Sequence, residues 1–230
     1  MTRTIEPPCK SKALPSKRAI EQGFYIDFEG FRGKEEYYSS RSQPPLLIGI
    51  YTPVDKHFRQ VVFTKAYRFA AENSSTKYPV TYEKDRIGFL KQLVSESRRN
   101  RPLFAFTQHE YRTINDLLGT KSIEKRYRDV HKITKQYLKK QHPDIKRPFT
   151  LLKVAKRLGL RTTDKVEDHS ITRRLNKVSE YSCSGKKWKT APKEIKVMWS
   201  EVLAHNKWDC EVMYKALMKI AKSKASVQIV

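Results

Sequence analysis

The stretch Gly23-Phe24-Tyr25-Ile26-Asp27-Phe28-Glu29-Gly30 decides how this chain is read. Side chains alternate faces along a strand, so Phe24, Ile26 and Phe28 share one face while the carboxylates of Asp27 and Glu29 share the other. Two like charges on an otherwise apolar strand repel, and burial penalises each of them. A bound divalent cation relieves that cost, because hard cations take carboxylate oxygens as ligands. A half-exposed strand with a solvated polar face is the alternative at this point, since acids followed by glycine also occur at sheet ends.

Outward from this strand, Leu46–Tyr51 and Phe58–Phe63 are the next two strand candidates, and the charged, Ser-rich segment Lys34–Pro45 suits a hairpin loop. Ile87, Leu90 and Val94 recur at helical spacing across Glu83–Ser97. A fourth strand, Leu103–Phe106, runs into Thr107-Gln108-His109-Glu110 and a helix through Ile114, Leu117 and Leu118 that stops at Gly119. Tyr127–Val130 reads as a short fifth strand leading into the basic helix His131–Lys140. Thr150 and Gly159 bracket a further helix, and the last runs from about Pro192 to Lys222. Between them, Arg161–Lys189 dissolves into charge and serine and reads as a basic loop excursion near 161–190. Three consecutive strands, then helix, strand, helix, strand and more helices describe an α/β domain with a mixed sheet. That order is ribonuclease-H-like: three antiparallel strands, then parallel strands, flanked by helices. The domain is expected over residues 21–225, preceded by a flexible basic arm over residues 1–20.

The chain has 230 residues, enough for one large domain, with twelve Tyr and ten Phe to build a core. Its 48 Lys and Arg against 24 Asp and Glu give a formal charge of +24, which implies a polyanionic partner, nucleic acid above all. The longest apolar runs are short strands, so a membrane partner is not expected. Cys9, Cys183 and Cys210 form no CxxC pair, which suggests a reducing compartment and no common zinc site. The N-terminal segment has no apolar core and is not a secretory signal, so an intracellular location, cytoplasmic or nucleoid/nuclear, is expected.

An α/β nuclease needs acids from separated segments that converge on two metal ions. The first strand offers Asp27 and Glu29, the helix after the fourth strand offers Glu110, and the C-terminal helix offers Asp209. Each has a plainer reading: Glu110 complements a helix dipole, and Asp209 is a surface acid. Asp209, however, lies mid-helix between apolar positions, and His205 sits one turn before it on the same helix face.

These segments resemble the DEDD superfamily of ribonuclease-H-like 3′–5′ exonucleases, and most closely its predicted branch associated with RecB-type nucleases. Tyr25-Ile26-Asp27-Phe28-Glu29-Gly30 is similar to the first motif, an apolar strand carrying Asp-x-Glu. Phe106-Thr107-Gln108-His109-Glu110 is similar to the second, an aromatic-Asn pair with Glu three residues after the Asn. Thr150-Leu151-Leu152-Lys153-Val154 with Leu158-Gly159 resembles a Ser-Leu-Lys helix ending in Leu-Gly. His205-Asn206-Lys207-Trp208-Asp209-Cys210 resembles the third, usually Tyr-Asn-x-x-Asp-Cys, and Asp129 matches a supporting acid. The likeness spans roughly residues 23 to 220. Two positions depart from it: Thr107 replaces the expected Asn, and His205 replaces the usual Tyr. The first departure is expected to loosen the second motif.

The resemblance implies Asp27, Glu29, Glu110 and Asp209 as ligands of two Mg²⁺ or Mn²⁺ ions, with His205 as a candidate general base near neutral pH. It also implies substrate contacts at Thr107, Lys153 and Asn206. Lys187 and Trp188 are further substrate candidates, because aromatic residues in basic stretches stack bases; an ordinary loop anchor is the other reading of Trp188. The expected activity is hydrolysis of phosphodiester bonds in DNA or RNA with a single-stranded 3′ end. The alternative is an inactive nucleic-acid-binding module, or a subunit of a larger nucleoprotein complex, with the same fold.

Overall fold

Strand β1 (Phe24–Glu29) lies inside a six-stranded sheet in a computed structural model that describes residues 13–30, 45–98, 100–119, 123–143, 149–162 and 171–227. On one side it pairs antiparallel with β2 (Leu47–Thr52), which pairs antiparallel with β3 (His57–Val62). On the other side it pairs parallel with β5 (Leu103–Ala105), which pairs parallel with β6 (Tyr127–Asp129). A short strand β4 (Val80–Tyr82) adds to β3 in parallel, giving the order β4-β3-β2-β1-β5-β6. This is an α/β architecture with a mixed sheet flanked by helices.

Alternation along the strands divides the core into two layers. Phe24, Ile26, Phe28, Ile48, Ile50 and Val61 face α3 (Arg86–Glu96) and α4 (His109–Leu118), where Leu90, Leu93 and Ile114 meet them. On the opposite face, Tyr25 stacks on Phe104 at 4.7 Å and packs with Cys210 and Met213 of the long helix α8 (Lys193–Val227). Leu47 and Val62 continue that face against α2 (Lys65–Glu72), α7 (Ile171–Cys183) and Trp199 of α8. Asp27 and Glu29 alternate with the α3–α4 residues, so they belong to the face covered by α8. Helices α5 (Val130–Gln141) and α6 (Leu151–Arg157) pack near the C-terminal half of α8. Among the described residues no helix is long and apolar enough to cross a membrane.

Two helix stops follow the sequence signals. Gly119 and Gly159 both take a left-handed conformation, with φ of 61° and 60°, just past α4 and α6. Asp85, Asp129 and Thr150 cap α3, α5 and α6 by accepting from Gly88, Lys132 and Lys153 backbone N–H groups.

The expected arm and excursion are each corrected in part, where described residues form helix. Residues 17–22 form helix α1, capped by the Ser16 hydroxyl, with Ile20 fully buried and its carbonyl accepting from the Tyr25 hydroxyl at 2.8 Å. A single apolar turn is too short to show periodicity, which is why it reads as tail. Residues 1–12, including Cys9, lie outside the described residues, as does most of the expected hairpin loop at 34–45. The 161–190 segment is not a loop throughout. Helix α7 buries Ile171, Leu175 and Val178 at i, i+4 and i+7, a stripe obscured by Arg173, Arg174 and Lys177 between them. Residues 163–170 of that segment lie outside the described residues. Helix α2 and strand β4 are additions that the strand-by-strand reading did not contain.

Candidate metal centre

Strand β1 brings Asp27 and Glu29 to the sheet face that α8 crosses, and α8 supplies His205, Asn206 and Asp209 from successive positions of one helical stretch. One donor atom each from Glu29, His205 and Asp209 lies within 4.8 Å of the others, and this group could hold a metal ion. His205 Nε2 is 3.4 Å from Asp209 Oδ2, as the i, i+4 spacing on one helix face requires. His205 is buried, whereas Glu29 and Asp209 are half-buried, so the donor set combines a sheltered imidazole with two partly exposed carboxylates.

Asp27 is held separately. The Asn206 side-chain Nδ2 donates to Asp27 Oδ2 at 2.7 Å and to the Asp27 main-chain carbonyl at 3.2 Å. Gly49 is the β2 residue opposite Asp27, and a Cβ there would collide with Asn206 Oδ1. Glycine inside a strand often marks such a close approach. Gly49 is therefore a site residue that the motif reading did not contain, although its position in Leu47-Ile48-Gly49-Ile50 carries the signal.

Glu110 enters from the first turn of α4, where β5 delivers it beside the ends of β1 and β6. It is buried, and burial pushes its carboxyl up to about 8, with the Asp27 charge adding to the rise. Its own backbone N–H and the Thr107 hydroxyl oppose the shift without cancelling it. Thr107 Oγ1 donates to Glu110 Oε2 at 3.1 Å and accepts from the His109 N–H at 3.1 Å, while the Thr107 carbonyl accepts from the Tyr127 hydroxyl. Threonine at this departure therefore holds the Glu110 carboxyl through its hydroxyl. The Cys210 thiol, buried one residue past Asp209, is pushed up first by burial and then by Asp27, Asp209 and Glu110.

Other expected residues divide. Asp129 is buried and serves as the N-cap of α5, which accounts for it structurally. Lys153 and Lys187 are exposed, with no hydrogen bond or ion pair to the cluster among the described residues. Trp188 is only 6% exposed, in a 3-10 turn (Trp188–Thr190), and meets Tyr181 edge to face. It anchors that turn into the α2–α7–α8 core, in keeping with the loop-anchor reading of the two the sequence leaves open. Trp208, half-buried, has its ring 6.4 Å from His205 at an interplanar angle of 25°.

Comparisons of the chain with protein-family models, with curated proteins and with solved structures found no match. Fold and site together define an α/β protein with a six-stranded mixed sheet and an acidic, histidine-bearing cluster suited to a cation.

Proposed function

We propose that this chain is a metal-dependent nuclease that hydrolyses phosphodiester bonds of nucleic acid from the 3′ end, in the manner of the DEDD exonucleases it resembles. The observation that carries the reading is the Glu29–His205–Asp209 group, which could hold a metal ion, in a chain of net charge +24; Asp27 lies on the same strand face as Glu29, and its charge adds to the raised Glu110 carboxyl. Carboxylates are costly to gather at partly buried positions without a cation, and two Mg²⁺ or Mn²⁺ ions suit an oxygen-rich set of this size. The strand order supports the same reading. Three antiparallel strands, β1 to β3, followed by β5 and β6 parallel on the far side of β1, is the arrangement a ribonuclease-H-like fold calls for, with β4 as an edge addition.

In this reading the chain's own residues prepare the site. Asn206 fixes the Asp27 carboxylate through Oδ2, and Thr107 fixes Glu110 through Oε2. With its carboxyl raised to about 8, Glu110 would be mostly protonated at neutral pH without a cation and would give up that proton to serve as a ligand. Bound ions would supply an activated water and charge neutralisation at the leaving oxygen. The Lys and Arg surplus attracts the phosphate backbone and makes binding salt-dependent. Incubating the purified chain with 3′- and 5′-labelled DNA and RNA single strands, with Mg²⁺, Mn²⁺ or EDTA, tests the activity and its polarity. Metal-dependent shortening from the 3′ end is expected. Binding without hydrolysis in every metal would leave the inactive module in its place.

A further inference from the structure

We infer that His205 is a metal ligand, and that it makes the Glu29–His205–Asp209 position select a first-row transition ion over Mg²⁺. The inference rests on the ion-binding part of the proposed function and not on nuclease chemistry.

The four acids alone would favour a hard ion, since carboxylate oxygens suit Mg²⁺ and Mn²⁺ alike. His205 changes the donor set. It contributes one ring nitrogen to the group of three donor atoms that lie within 4.8 Å of one another, and its Nε2 faces Asp209 Oδ2 at 3.4 Å. Two donors four residues apart on a helix form the same one-face clamp that pairs of helical histidines use to grip zinc. Here the clamp is His205 with Asp209, and Glu29 of β1 closes it from the sheet. Imidazole suits Zn²⁺, Fe²⁺ and Ni²⁺, whereas Mg²⁺ demands near-octahedral oxygen coordination and retains its water. A ligand must turn a ring nitrogen toward the other donors, and His205 does so, its Nε2 close to Asp209 Oδ2 while the residue is only 6% exposed. Asp27, held by Asn206, and the buried Glu110 keep an all-oxygen character beside it.

The test is metal binding by the full chain, read without reference to turnover. Calorimetric titration with MnCl₂, ZnCl₂ and MgCl₂ is expected to give Mn²⁺ and Zn²⁺ affinities on the order of tenfold or more above Mg²⁺. Electron spin echo spectroscopy of the Mn²⁺-loaded chain is expected to show ¹⁴N coupling from a directly bound imidazole. His205→Asp, which exchanges nitrogen for oxygen while keeping the ligand count, should abolish the coupling and narrow the preference over Mg²⁺. Should that variant fail to fold, His205→Gln, neutral and similar in size, is read in the same way. Bound Mn²⁺ without ¹⁴N coupling, coupling that persists in the variant, or equal affinity for all three ions would overturn the inference. Coupling without any hydrolysis would retain it and reject the nuclease reading; hydrolysis without coupling would do the reverse.

Discussion

One amide group of Asn206 grips Asp27 at two points, the side-chain Oδ2 at 2.7 Å and the main-chain carbonyl at 3.2 Å, across 179 residues of chain. Asn206 is fully buried, and Gly49 across the β1–β2 ladder leaves the space it occupies. The strand carboxylate is therefore aimed by the helix that also supplies His205 and Asp209.

Gly49→Ala tests that arrangement. A Cβ at this position meets the Asn206 amide, so either the amide or the strand must shift, at a cost of about 1–3 kcal/mol, the usual range for overpacking. Urea unfolding should show that loss, and metal affinity should fall with it because Asp27 loses its guide. Unchanged stability and affinity would mean that the close approach is without consequence.

Glu110 should make the stability of the ion-free protein depend on pH. Its carboxyl titrates at about 8 in the fold, against roughly 4.3 in an unfolded chain. Between those values the folded state holds a proton that the unfolded state has lost, so this group's contribution to stability declines as pH rises through the window and levels off above 8. Glu110→Gln removes that decline. The variant should gain on the wild type in thermal midpoint from pH 5 to pH 8, and parallel profiles would show that Glu110 is not raised.

How much of this was readable beforehand depends on distance along the chain. Strand β1 and its acids were legible because polar residues on one face of an apolar strand stand out at period two. His205 and Asp209 were legible as one helix face, yet nothing in the spacing says that Glu29 meets them, since that contact depends on how α8 crosses the sheet. Gly49 lies in the same category: the glycine is conspicuous, but its partner is set by tertiary packing. Helix α7 hid its three-residue stripe under a basic composition, and Trp188 stays open between base stacking and a loop anchor in the sequence because the exposed Lys187 and Lys189 beside it say nothing of which way its ring turns.

Helix α1 gives an independent check on the corrected N-terminus. Ile20 is fully buried against the Tyr25 and α8 cluster, so Ile20→Ala should cost about 2–5 kcal/mol, as other large-to-small core changes do. Calorimetric or urea unfolding would reveal it. A loss well below 1 kcal/mol would return residues 17–22 to the status of a tail, on the scale of surface substitutions.

Binding to nucleic acid should weaken steeply with salt through counterion release, each neutralised phosphate adding about 0.9 to the log–log slope on duplex DNA and about 0.7 on single strands. Fluorescence anisotropy between low and moderate salt measures this. A flat dependence would mean that the surplus of 48 over 24 charged residues faces some other partner.

The central claim is the proposal that this chain hydrolyses nucleic acid with ions held by Asp27, Glu29, Glu110 and Asp209, and Asp27→Asn tests it most directly. On the proposed function the substitution removes a carboxylate assigned to ion binding while retaining its shape and the basic surface. On a 5′-labelled single strand with Mg²⁺ or Mn²⁺, the wild-type chain should yield a ladder shortening from the 3′ end. The variant should bind the strand as well or better and cut it slower by several orders of magnitude, roughly the loss seen on deleting other catalytic groups. Cleavage by Asp27→Asn at near the wild-type rate, or no cleavage by the wild type with either ion, would contradict the account.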